Sequence, residues 1–180
     1  MQEMSVNPSK TKTATAAENA ATSPPGVATT AQSLDAVLGG GCQCGRTRYT
    51  VRVSDDGAYL CHCRMCQRAT GGASIAFKNV RKADVQWTRE PERYASSPIA
   101  RRGFCAACGT PLTFEFPDSA HMDLTLGSFD TPGLFRPTHH FGVESWHEAW
   151  LDTRGLPTYR TDQHKAVVDR WMKTIGKLPD

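Results

Sequence analysis

The stretch LCHCRMCQRATGG, Leu60 to Gly72, places Cys61, Cys63 and Cys66 within six residues, with His62 among them. Three thiols are one short of a closed structural zinc site, and they match the protein ligands of a zinc with an open position. Two further clusters answer this one. Cys42 and Cys44 form C-x-C in GGCQCGRT, and Cys105 and Cys108 form C-x-x-C in FCAACGTPL. The last has the form of a zinc knuckle. A tight turn carries two thiolates, and Gly109 lets the backbone approach the second sulfur.

C-x-C suits a strand, where residues i and i+2 share a face. On that reading Cys42 and Cys44 grip one ion together, as do Cys61 and Cys63. His62 then points away from the ion its neighbours bind, unless a bulge intervenes. The seven cysteines divide most simply as four plus three. Cys42, Cys44, Cys105 and Cys108 close one site, and Cys61, Cys63 and Cys66 hold a second ion with one vacancy. The alternative joins Cys61 and Cys63 to the knuckle and sends Cys66 away from its own cluster. A redox reading of the C-x-x-C lacks the surrounding βαβ pattern. The four-cysteine site ties an early strand to a distant turn, so metal binding there is part of the folding free energy.

The chain has 180 residues, 39% of them hydrophobic, and a net charge of +3. That allows one domain with a real core and is marginal for two. The charge is well short of the footprint of a dedicated nucleic-acid binder, so no nucleic-acid partner is expected. No run approaches the about 18 apolar residues of a membrane span, so no membrane partner is expected either. An odd thiol count without an export signal points to a reducing cytoplasm, where clustered thiols bind metal or do chemistry. Residues 1–36 hold few large apolar side chains and the breaker pair Pro24-Pro25. They read as a flexible, disordered leader. Residues 37–180 then form a single zinc-binding domain with a C-terminal helical extension.

Short alternating runs fill that domain. Tyr49, Val51 and Val53 share one face of RTRYTVRV. ASIAFKNV (Ile75, Phe77) and ADVQWTRE (Val85, Trp87) give further strands, and Leu112, Phe114 and Phe116 alternate against Thr113 and Glu115. Met122, Leu124 and Leu126 alternate in HMDLTLGSFD. Many short strands punctuated by Gly, Pro, Asn and Asp predict a mainly β domain of antiparallel sheets. VESWHEAWLD reads as a short helical turn, and Val167, Trp171 and Ile175 at helical spacing predict a short amphipathic helix packed on the sheets.

Three thiolates on a dication leave one net negative charge and a modest Lewis acid that still takes a fourth soft ligand. An incoming thiol loses its proton on binding. Such a site suits chemistry that handles a substrate thiolate. There is no G-x-S-x-G, P-loop or G-x-G-x-x-G, and HEAWL at His147 lacks the second histidine of a zinc protease.

The order GGCQCG, CHCRMCQRATGG, FCAACGTPL, followed by an aspartate-bearing strand and a Trp-containing tail, resembles the glutathione-dependent formaldehyde-activating enzyme / centromere protein V family. The resemblance covers about Leu38 to Tyr159 and all seven cysteines. It implies a β-tent of antiparallel sheets pinned by zinc, with two Zn2+ per chain. One is structural, on Cys42, Cys44, Cys105 and Cys108. The other is catalytic, on Cys61, Cys63 and Cys66. The activity it implies is a carbon–sulfur lyase reaction, formation or breakdown of S-hydroxymethylglutathione. Relatives resembling centromere protein V are linked to chromatin and the cytoskeleton, but residues 1–38 of this chain carry only Lys10 and Lys12 as bases.

On the enzyme reading, the partner is a small thiol or aldehyde, glutathione and formaldehyde foremost. Self-association into a homo-oligomer is left open. Glutathione carries two carboxylates, so the site needs cations. Arg64, Arg68, Lys78, Arg101 and Arg102 lie close in sequence to the clusters and are the candidates. His62 is the first candidate proton donor, with His121, His139 and His140 equally available. Two competing readings are a non-catalytic zinc-binding interaction module and a zinc or redox sensor. The module predicts a fourth protein ligand at the second site, and the enzyme predicts a reachable pocket beside it.

Overall fold

Alternation decides the first sheet. In RYTVRVSD every second residue is apolar, and the run forms a strand, Arg48–Asp55, with Tyr49, Val51 and Val53 buried and Thr50 and Arg52 exposed. It is β2 of a computed structural model that describes residues 30–178. β1 (Ser33–Gly41) and β5 (Val85–Trp87) pair with it on either side, both antiparallel. β1 begins inside the span read as a leader. Residues 1–29 of that span lie outside the described residues.

The remaining strands are β3 (Gly57–Cys61), β4 (Ile75–Arg81), β6 (Glu92–Ser97), β7 (Ala100–Phe104), β8 (Pro111–Glu115), β9 (His121–Thr125) and β10 (Arg136–Phe141). They form one seven-stranded sheet in the order β10-β3-β4-β9-β8-β7-β6. All its pairings are antiparallel but one: β10 runs parallel to β3. The fold is therefore mainly β, but mixed rather than purely antiparallel. A parallel neighbour needs a long crossover, and some 75 residues, including six strands, separate β3 from β10.

The two sheets share a core. Tyr49, Val51 and Val53 of β2 pack with Ala58, Val80, Met122 and Leu124 from the larger sheet, and Phe129 and Phe135 close one end. Each fully buried Val or Leu contributes about 1.5–3 kcal/mol. This core lies on one face of the large sheet. The other face carries Tyr59, Cys61, Ile75, Phe77 and Phe114, beneath α1 (Arg64–Thr70).

Two expectations from periodicity fail. In β8, Thr113 and Glu115 are buried while Phe116, beyond the strand end, is 42% exposed. Both faces of this interior strand are covered, so polar residues are buried with partners. Glu115 binds Lys82 Nζ at 2.9 Å and Arg93 Nε at 3.0 Å. The C-terminal helix α3 (Lys165–Ile175) forms where spacing placed it, but none of its residues is buried and Ile175 is 52% exposed. It is not packed into the sheets as expected. The helical turn expected at VESWHEAWLD is present, as a 3-10 turn (Val143–Ser145) followed by the single-turn α2 (Glu148–Leu151). No helix among the described residues is long and apolar enough to cross a membrane.

Candidate metal and thiol site

Two tight turns build the first cluster. Cys42 and Cys44 lie in the turn after β1, not on a strand, where Gly45 adopts φ +77° and its N–H bonds the Cys42 carbonyl at 3.0 Å. Cys105 opens the knuckle. Its carbonyl accepts from the Gly109 N–H at 2.7 Å, with Gly109 at φ +75°. Only a residue without a β-carbon takes that left-handed conformation freely. The two turns are joined where the Gln43 N–H donates to Thr110 Oγ1 at 3.1 Å. The four sulfurs lie within 4.8 Å of one another. Cys42 and Cys44 sulfurs are 3.5 Å apart, and Cys44 and Cys105 sulfurs 3.7 Å. Tetrahedral zinc with Zn–S near 2.3 Å has sulfur–sulfur edges of about 3.8 Å, so the four fit a zinc ion. The Thr47 N–H donates to Cys42 Sγ at 3.3 Å, and with Cys105 wholly buried the site is integral to the fold.

The second cluster spans a strand end and a helix. Cys61 ends β3, Cys63 caps α1 and Cys66 lies in its first turn. The three sulfurs gather within the same 4.8 Å limit, with Cys61 and Cys63 3.6 Å apart. Among the described residues no fourth His, Cys, Asp or Glu joins them. The donor set fits a zinc with one corner left for an incoming ligand. Arg102 Nη2 donates to Cys66 Sγ at 3.2 Å, and the guanidinium stands over the Phe114 ring at 4.9 Å. Sharing with the Cys61 thiol, against the opposing effect of burial and then with help from Arg102, holds Cys66 down to about 6.

The candidate cations separate. Of the five, Arg102 alone is buried against a cysteine sulfur. Lys78 is buried too, but on the opposite face of β4, bonded to Asp55 at 2.6 Å and to the Gly57 carbonyl at 2.8 Å. Strand parity explains this, since Phe77 faces the thiols and its neighbour cannot. Arg101 is exposed on the other face of β7. Arg64 and Arg68 are exposed on α1, where Arg64 bonds Gln67.

His62 is wholly buried and engaged elsewhere. Its Nε2 lies 2.9 Å from His140 Nδ1, and its ring stacks on Trp146 at 4.9 Å and 7°. Among the described residues no hydrogen bond links it to the sulfurs. His139 stacks on Tyr59, while His121 starts β9 and lines a polar groove with Lys78 and Arg81.

Three residues were missed. Gln67 is buried, and its Nε2 faces the carbonyls of His62, Ala73 and Ser145 at 2.7, 3.2 and 2.9 Å. Gly142, at φ +69°, lies directly on Cys63. Asp123 is buried beside Asn79, whose Nδ2 donates to it at 2.9 Å. Burial pushes its carboxyl above the usual carboxylate range. Nothing local in the sequence announces these contacts, which join segments far apart in the chain.

A mainly β fold thus carries two cysteine clusters that could hold metal ions, one of four sulfurs and one of three. The family model for the glutathione-dependent formaldehyde-activating enzyme matches residues 37–145. The chain belongs to that family. It is 31% identical over 77 residues to an uncharacterized lyase of Schizosaccharomyces pombe, spanning 43% of this chain and 56% of that relative. The match thus spans little more than half of the relative's length. A crystal structure of a Rhodobacter sphaeroides protein superposes with a TM-score of 0.47 at 18% identity, covering 57% of this chain and 99% of the other.

Proposed function

We propose that this chain is a zinc-dependent carbon–sulfur lyase acting on a glutathione adduct or a related small thiol adduct, with S-hydroxymethylglutathione as the first candidate. The observation that carries this is the three-sulfur cluster without a fourth protein ligand among the described residues, set against a buried guanidinium. An interaction module would have closed that corner. Family membership and the lyase-named relative support the same class.

Cys61, Cys63 and Cys66 would hold one zinc and Cys42, Cys44, Cys105 and Cys108 the other. Bound zinc at the open cluster would stabilise a substrate sulfur as thiolate. The chain's own residues supply the rest. Arg102 offsets the excess negative charge of the thiolates. α1 and the aromatic floor of Phe77 and Phe114 shield the sulfurs from water. In the synthetic direction the thiolate sulfur attacks the formaldehyde carbon and the C–S bond forms. The carbonyl pair moves to oxygen, which takes up a proton; the lyase direction is the reverse. Holding both reactants turns a bimolecular step into an effectively unimolecular one. A reducing, cytoplasmic setting would keep the seven thiols available as ligands.

The test pairs metal analysis with turnover. Zinc per chain is counted in wild type and Cys63→Ser, and exchange NMR follows the interconversion of glutathione plus formaldehyde with the adduct. Two zincs falling to one, with loss of acceleration, is the expected result. Two zincs without acceleration in the wild type overturns the formaldehyde reading.

A further inference from the structure

Arg102 is 6% exposed and does more than touch Cys66. Its Nε is buried and has no acceptor. The same residue lines a pocket of about 160 Å³ whose walls include Ala69, Ile75, Tyr94, Phe104 and Thr125, and it is the one charged residue there. The Thr125 hydroxyl is already committed to the Pro111 carbonyl at 2.8 Å. Three basic side chains elsewhere in the fold have carboxylates: Arg93 and Lys82 share Glu115, and Arg48 holds Asp130. Among the described residues Arg102 has none.

The Cys66 sulfur takes one edge of this guanidinium, and the buried Nε is left without an acceptor, a cost that a carboxylate oxygen would remove. Its planar fork of five donors can serve a sulfur on one edge and a carboxylate on another. The pocket volume suits a carboxymethyl or carboxyethyl end of a molecule, not a whole tripeptide. Nη2 touches Cys66 Sγ at 3.2 Å, so the same guanidinium links the pocket to the three-cysteine cluster.

We infer that the pocket beside Cys66 is a carboxylate subsite built on Arg102, and that the thiols accepted at the three-cysteine centre are those bearing a carboxylate near the sulfur. This rests on the thiol-binding reading above and narrows it to a substrate class. Glutathione, through one of its carboxylates, belongs to that class, and so do small mercapto acids.

The test measures binding, not turnover. Zinc-loaded protein is titrated calorimetrically with 3-mercaptopropionate and with its neutral match, 3-mercaptopropionamide. The wild type is expected to bind the acid at least about tenfold more tightly. Propionate should compete with the acid and not with the amide. The preference should vanish in Arg102→Met, and also in Ala69→Phe, which fills the pocket from α1 and leaves the guanidinium in place. If Arg102→Met loses its second zinc, Ala69→Phe decides. Equal binding of acid and amide by the wild type, or a preference that survives Ala69→Phe, overturns the subsite alone. Binding of neither thiol sinks the thiol reading and the subsite with it.

Discussion

Gly142 lies so close to Cys63 that a β-carbon on it would sit 2.7 Å from the Cys63 nitrogen and 2.9 Å from the Cys63 β-carbon. Around this contact the His62 N–H donates to the Phe141 carbonyl at 2.8 Å, and Trp146 covers the His62 ring. The segment after β10 is thus a strap across the loop that carries the three thiols.

Gly142→Ala combines a left-handed φ with a clash against backbone. It should cost about 1–3 kcal/mol and displace Cys63. The expected signature is loss of one zinc of two, a lowered melting temperature and a retained four-cysteine zinc. Thermal unfolding with metal analysis on the same sample reads both.

Gln67→Leu preserves the size of a buried side chain and strips three carbonyls of their shared donor. One unmet buried acceptor costs about 1–3 kcal/mol, so the loss should be at least that of a single such group. Gln67→Glu should be worse than Leu, because a carboxylate would face those carbonyls. Urea denaturation of the three proteins checks the order.

Two carboxylates should move stability with pH in opposite senses. Asp55 is held below its usual range: burial opposes this, but Lys78, Ser54 and the Gly57 N–H outweigh it. A depressed carboxyl stabilises the fold above its unfolded value, and that contribution fades as pH falls through the folded one. Asp55→Asn strands the nearly buried Lys78 ammonium. Since Asp55 is 38% exposed and solvent screens the pair, the cost should be about 1–2 kcal/mol at neutral pH, shrinking in acid. Asp123 is shifted the other way, by burial. Its folded form holds the proton more tightly than the unfolded chain does. Stability is therefore full at low pH and declines as pH rises from the unfolded value through the folded one. Asp123→Asn keeps the bond from Asn79 and should be more stable than wild type at neutral pH, with the gap closing in acid. Denaturation midpoints from about pH 2 to pH 8 test both, with the Asp55 change confined to the acid side of its unfolded value.

Substituting the two clusters should have unequal effects. Cys105 is wholly buried and its turn is tied to the Cys42 turn, so Cys105→Ser should abolish cooperative folding. Cys63→Ser, at a half-exposed helix cap, should leave a cooperative transition. Calorimetric scans with and without chelator separate them.

The grouping of the thiols was legible because cysteine spacing is local: two or three residues apart in a turn, or across a strand end and a helix turn. The buried side of β2 was legible because only one face of that strand meets the core. Thr113, Glu115 and Asp123 broke the alternation because their strands are covered on both faces, and burial there follows partners rather than polarity. Lys78 was misplaced by nearness in sequence to the thiols, although its odd step from Phe77 already put it on the other face. β10, RPTHHF, lacks an apolar period and lies at the sheet edge, so only its tertiary pairing with β3 marks it as a strand.

That pairing also sets an order of assembly. His62 and His140 are 78 residues apart, and Cys44 and Cys105 are 61 apart. As the chain emerges from the ribosome, five thiols appear before the knuckle does, and all seven before the strap. The earliest metal-competent species holds Cys42 and Cys44 beside Cys61, Cys63 and Cys66, with neither their proper partners nor their cover. Were ions taken up during synthesis, their sorting would have to be complete before the Gly142 segment closes over Cys63.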